Sequence, residues 1–233
     1  VSTPPAPQGP YGWGGLPPMA PPPPKKSRVG LILGIVGGAV VAVVGVLALI
    51  GSTVARSTLP AAEFSLTLPQ TLLDGRFELA EDLSDSQGAA MEKEAEGAWD
   101  AKVTEAVVGQ YSLNGDPAKG VLVLSGMYGR FRNADHMSRG MLKGAADADG
   151  VTVTEGPRGF PQEGSPTVYC EVLTQEQAGT TTTYPLCAWT DDNTSATVVP
   201  AVTTAAQDPA AMPLAAYARM TLQIRSEARK PLA

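Results

Sequence analysis

Val29 to Gly51 runs for 23 residues without one charged side chain, and this stretch constrains the chain more than any other. It reads VGLILGIVGGAVVAVVGVLALIG. At ~1.5 Å rise per residue, a helix of that length reaches roughly 34 Å, enough to cross a bilayer core of ~30 Å. A helix buried inside a water-soluble protein seldom has to be apolar on every side over such a length. The expectation is a single transmembrane helix (29–51) with the lipid bilayer as its solvent. A proline-rich tail (1–28) precedes it, and a short linker (52–62) and one exported domain (63–233) follow.

Lys25, Lys26 and Arg28 abut the amino end of the run, whereas Arg56 stands alone after it. That bias places the amino terminus in the cytoplasm and the carboxyl domain outside, at the plasma membrane. A cleavable signal peptide is the rival, but its apolar region normally covers about 7–15 residues behind a short basic segment. Gly30, Gly34, Gly38 and Ala42 recur every four residues and share one helix face. Small residues on one face let two helices approach closely, so a homodimer through this helix is one expectation; the other is the glycine content common to membrane helices.

The tail holds ten prolines in its first 28 residues, cannot build a core, and is expected to be disordered with polyproline II stretches. Pro21 to Lys26, PPPPKK, fits a ligand for aromatic-lined grooves and equally a solvated spacer.

Beyond the linker, Phe64 to Leu68 alternates as a strand does and stops at Pro69. Ser84 to Gln87 has the spacing of a capping box, and Met91, Ala95, Trp99, Val103 and Val107 behind it predict one long helix. Its acidic residues, Glu92, Glu94, Glu96 and Asp100, read as a cation cluster or, more simply, a solvated face. Ala106 to Leu113 and Gly120 to Met127 predict a hairpin through Asn114-Gly115. Asn133 is placed as the cap of a second helix with Ala134, Met137, Met141, Ala145 and Ala148 inward, ended by Gly150. Four Thr- and Val-rich strands follow (Val151 to Glu155, Thr167 to Thr174, Thr182 to Thr190, Thr194 to Val202), then a helix from about Pro213 to Arg229. The expected fold is α+β, a two-layer sandwich of mostly antiparallel sheet with helices on one face.

Only two cysteines exist, Cys170 and Cys187, each in a strand candidate. Outside the cytoplasm the expectation is a disulfide; the rival, a metal or catalytic thiol, lacks partners because the chain has a single histidine, His136. His136 has no nucleophile or orienting group at motif spacing and reads as a solvent-facing residue. Arg130 and Arg132 around Phe131 fit either an anion grip or a solvated loop. Asn193-Thr194-Ser195 is a glycosylation sequon only in a eukaryote. After Arg56 there are 13 basic and 23 acidic residues, a net of −10, which argues against nucleic acid as partner. No catalytic residue, cofactor or metal site is expected.

The PPPPKK tail, Leu68-Pro69-Gln70-Thr71-Leu72-Leu73-Asp74-Gly75, Val123 to Phe131 (VLSGMYGRF) and Cys187-Ala188-Trp189-Thr190-Asp191 carry a resemblance. The chain resembles a family of uncharacterised single-pass membrane proteins of high-GC Gram-positive bacteria, streptomycetes especially. The resemblance implies an exported domain with a cysteine pair and carries no activity over to this chain. Three functions remain in play: a membrane-anchored, non-catalytic module binding an envelope protein or small ligand; a cell-envelope hydrolase, whose sign would be paired carboxylates of raised pKa in one cleft; and a signalling adaptor acting through the proline-rich tail.

Overall fold

The structure is a computed structural model and describes residues 59–96, 98, 100–177, 180–201 and 208–232. The apolar run, the tail, the glycine face and the basic flank lie outside these residues, as does Trp99. Among the described residues no helix is long and apolar enough to cross a membrane.

The domain is built on an eight-stranded antiparallel sheet. Its strands are β2 (Thr71–Leu72), β3 (Phe77–Asp82), β4 (Ala101–Leu113), β5 (Asp116–Phe131), β6 (Val151–Gln162), β7 (Ser165–Gln177), β8 (Thr180–Thr190) and β9 (Thr194–Ala201), in the order β2-β3-β4-β5-β9-β8-β7-β6. The first strand, β1 (Phe64–Leu66), pairs instead with the last, β10 (Arg229–Pro231), in a separate two-stranded ribbon. The helices are α1 (Ala89–Ala95), α2 (Ala134–Ala146) and α3 (Leu214–Ala228).

The β4–β5 hairpin forms as expected and is longer than its apolar runs. Asn114 and Gly115 both take positive φ, 50° and 72°, which matches the twist of the strands they join. Three of the four later strands extend past their expected ends. At the outer edge, β6 carries Pro157 and Pro161 and three register shifts, features that blunt an edge against pairing with other chains.

The sheet is a sandwich core, but its helices lie on both faces rather than one. Successive residues of a strand point to opposite sides. Val121 and Val123 join a core with Met91 of α1 and Met137, Met141 and Leu142 of α2. Leu122 and Leu124 join a second core with Leu214, Ala218 and Ile224 of α3. The central strands are apolar at both parities, so each face needs its own cover.

Two local expectations also change. The residues of the capping box form a π-helical turn, Ser84–Gly88, in which the Ser84 hydroxyl accepts from the Val108 amide at 3.1 Å instead of capping a helix. The helix behind it stops at Ala95, and Val103 and Val107 belong to β4. A spacing of four fits one face of a helix and one face of a strand alike, so the stripe could not distinguish them. Asn133 does precede α2, but at φ 53° and with no side-chain cap; its carbonyl accepts from the His136 and Met137 amides.

Candidate functional site

β8 and β9 are joined by the turn Asp191–Asn193, and the most concentrated polar cluster of the domain is built there. Asp191 Oδ1 accepts from the amides of Asn193 and Thr194 at 2.8 and 2.7 Å. Its Oδ2 accepts from the Thr194 hydroxyl at 2.8 Å and from Arg225 Nε at 2.8 Å, with a second Arg225 nitrogen at 2.6 Å. Burial alone would raise the Asp191 pKa, but the Asn193 amide, the Arg225 charge and the Thr194 groups outweigh it and hold the carboxyl below its usual range. Arg229 stands 3.6 Å from the same oxygen and lies over the Phe64 ring.

Asn193 ties this turn to the start of the domain. Its side-chain amide donates to the carbonyls of Ala61 (2.7 Å), Gly129 (3.1 Å) and Asp192 (3.1 Å), and its carbonyl accepts from the Glu63 amide at 3.2 Å. With its amide nitrogen engaged three times and only 2% of its surface exposed, Asn193 is not open to a glycan. The Leu232 amide donates to Glu63, so the first and last described segments meet at one end of the sheet.

The cysteines behave as expected. Cys170 and Cys187 are register partners on β7 and β8, bonded to each other, fully buried in the core beneath α3. Three of the short runs singled out in the sequence, all among the described residues, are clamps. In VLSGMYGRF, Gly126 lets β1 cross β5, since a Cβ there would stand 2.7 Å from Leu66 Cδ2 and 2.6 Å from the Ser195 carbonyl. In LPQTLLDG, Leu73 and Asp74 adopt left-handed φ (56° and 58°). Glu227 of α3 accepts from the Leu73 amide at 2.6 Å and Gln223 donates to Asp74 at 2.9 Å, which holds that turn in place. Cys187, Trp189 and Asp191 supply the disulfide, the largest fully buried side chain and the ionic hub.

The other face hides one carboxyl that sequence reasoning missed. Glu171 of β7 is 2% exposed, its Oε1 has no hydrogen-bond partner, and burial pushes its pKa up to about 7. Its charge and burial together push the neighbouring Tyr184 up to about 12, burial being the larger cause. Glu171 is closed off from solvent and its shift has burial as its cause, with no second carboxylate contributing. A hydrolase pair in an open cleft would look different. His136 is exposed at the start of α2. Of the acidic residues near α1, Glu92 accepts from the Ala106 amide at 2.9 Å and Asp100 is 4% exposed, so that group is partly built into the fold rather than solvated throughout. Among the described residues no cluster of three or more His, Cys, Asp or Glu is arranged to hold a metal ion. Arg130 and Arg132 flank the buried Phe131 at the end of β5, beside the Asn193 clamp. Comparisons of the chain with protein-family models, with characterised proteins and with solved structures found no match.

Proposed function

We propose that the chain is a membrane-tethered extracytoplasmic binding or interaction module that performs no chemistry of its own. One observation carries this reading: a disulfide between Cys170 and Cys187 sealed inside the sheet domain. Such bonds form and persist outside the reducing cytosol. Taken with the apolar run Val29 to Gly51 and the basic flank of Lys25, Lys26 and Arg28, it supports an amino terminus inside the cell and a folded domain outside. The most densely bonded polar side chains of the domain, Asp191, Asn193 and Arg225, hold it together, which favours binding over catalysis. The bilayer is the first partner; an envelope protein or small ligand is the second. Pairing through the face of Gly30, Gly34, Gly38 and Ala42 would present the domains as a dimer. The likeness to the streptomycete-type membrane family fits the same placement.

The test uses intact cells producing the full chain with an epitope on the tail. Protease added outside should remove the domain and leave the tail epitope, and thiol labelling without reductant should find no free cysteine. A domain sheltered from the protease, or two labelled thiols, would overturn the reading. Capture of envelope extract on the exported domain then identifies the ligand.

A further inference from the structure

We infer that the end of the domain nearest the anchor docks on the bilayer through Lys102, Arg130, Lys230 and Leu232, with anionic phospholipid headgroups as its ligand. The inference rests on the anchored reading above and deepens it by assigning the surface that meets the lipid.

Three observations converge. First, the point where the chain enters the domain is fixed: Asn193 holds the Ala61 carbonyl and the Glu63 amide, and the same side chain holds Gly129. Arg130 follows Gly129 directly, so it sits at the anchor end of the sheet, opposite the Asn114–Gly115 hairpin tip. Second, the cations there are unspent. Lys102 and Arg130 are register partners on β4 and β5, a like-charged pair that costs stability in isolation. Lys230 pairs across the ribbon with Ser65, one residue from the chain's start in β1. None of these three side chains has an ion-pair or hydrogen-bond partner, whereas Arg225 and Arg229 are engaged with Asp191. Glu63, Glu96, Asp135 and Asp192 are exposed acids near this end, and Glu105, also exposed, accepts from Tyr128. The segment after the apolar run, Arg56 included, has a net charge of −9, and Lys102 with Arg130 forms a local patch of opposite sign within it. Third, Leu232, whose amide is bonded to Glu63, is 42% exposed, and only it and Val153 are exposed large hydrophobic residues among those described. Basic side chains beside an exposed apolar one, within a short linker of a membrane span, match the interfacial layer of a bilayer.

The test uses the full chain reconstituted in vesicles of phosphatidylglycerol or of phosphatidylcholine, with a fluorophore on Ala62→Cys or, at the far end, on Ala118→Cys, and headgroup-attached quenchers. Docking predicts strong quenching at 62 in phosphatidylglycerol, little in phosphatidylcholine, and little at 118 in either. Raising salt from 0.1 to 1 M, which shortens the screening length from ~10 to ~3 Å, should relieve the quenching without any variant. Combining Lys102→Gln with Arg130→Gln should lower the docked-to-free ratio roughly 25-fold, about 5-fold per basic residue. A chain that fails to float with either vesicle removes the anchored reading and this one with it. A chain that floats but shows the same quenching at 62 in both lipids, or no response to salt, removes this inference alone. Quenching that follows the protein-to-lipid ratio instead of lipid charge assigns the surface to a second copy of the chain and equally overturns it.

Discussion

The two faces of the sheet are buried by different means. Beneath α3 the core holds the disulfide, Trp189, Phe77 and six leucines, and its buried polar groups are few: Thr194 is tied to Asp191 and Trp189 and Thr221 to its own helix at Tyr217, while the Tyr111 hydroxyl is buried without a partner. Beneath α1 and α2 the core holds four methionines, Met91, Met127, Met137 and Met141. Hydroxyls thread through it, with Ser138 donating to Thr190, Thr190 paired with Ser195, and Ser125 and Ser195 against methionine sulfurs at 3.5 Å. Glu171 and Gln175 each leave a buried oxygen without a partner there. Methionine is unbranched and adapts to gaps, whereas a cross-linked, tryptophan-filled core does not. One face is locked and the other is adaptable, and the anchor end is clamped to the locked one through Arg225, Arg229 and Asp191.

This contrast can be broken by substitution. Trp189→Ala should cost roughly 3–5 kcal/mol in a denaturant melt, as the largest cavity on the locked face. Asp191→Ala should cost about 3 kcal/mol by leaving Arg225 buried without its partner. In the wild type, the Asp191 contribution is present above its unfolded value of 3.8 and is lost as pH falls through its lowered folded pKa, so acid melts should show a stability loss below pH 3.8 that the variant lacks. Reducing the disulfide, which joins residues 17 apart, should cost about 3 kcal/mol, and hydrogen exchange should rise beneath α3 before it rises beneath α2. Equal exchange on both faces would sink the comparison. On the adaptable face, Glu171→Gln should stabilise at pH 8 by on the order of 1–3 kcal/mol. The unfolded carboxyl releases its proton near 4.5 and the folded one holds it to about 7, so wild-type stability falls as pH rises across that window and the variant should show a flat profile. Met137→Leu should change stability by less than ~1.5 kcal/mol.

The hairpin at Asn114-Gly115, the cysteine pair and the late strands were legible because each depends on local chemistry: two residues that accept positive φ, two thiols on adjacent runs, β-branched alternation. Phe77–Asp82 went unread as β3 because its outer end is wholly polar and its partner Leu113 lies far along the chain. The second helix layer was signalled by Val121-Leu122-Val123-Leu124, a run apolar at both parities, which a one-faced sheet would not need. The ionic hub was not legible at all. Asp191 meets Arg225 across 34 residues and Asn193 meets Ala61 across 132, and no spacing rule reaches that far. Glu171 reads as an ordinary strand carboxyl until the packing of α2 over β7 seals it.

The β1–β10 ribbon makes the described chain a nearly closed ring, with Glu63 and Leu232 hydrogen-bonded to each other. A ring has no privileged opening. Joining those neighbours through a few residues and cutting instead at the exposed Asn114–Gly115 tip would yield a circular permutant with the same sheet, one that moves any fused cargo from the anchor end to the far tip.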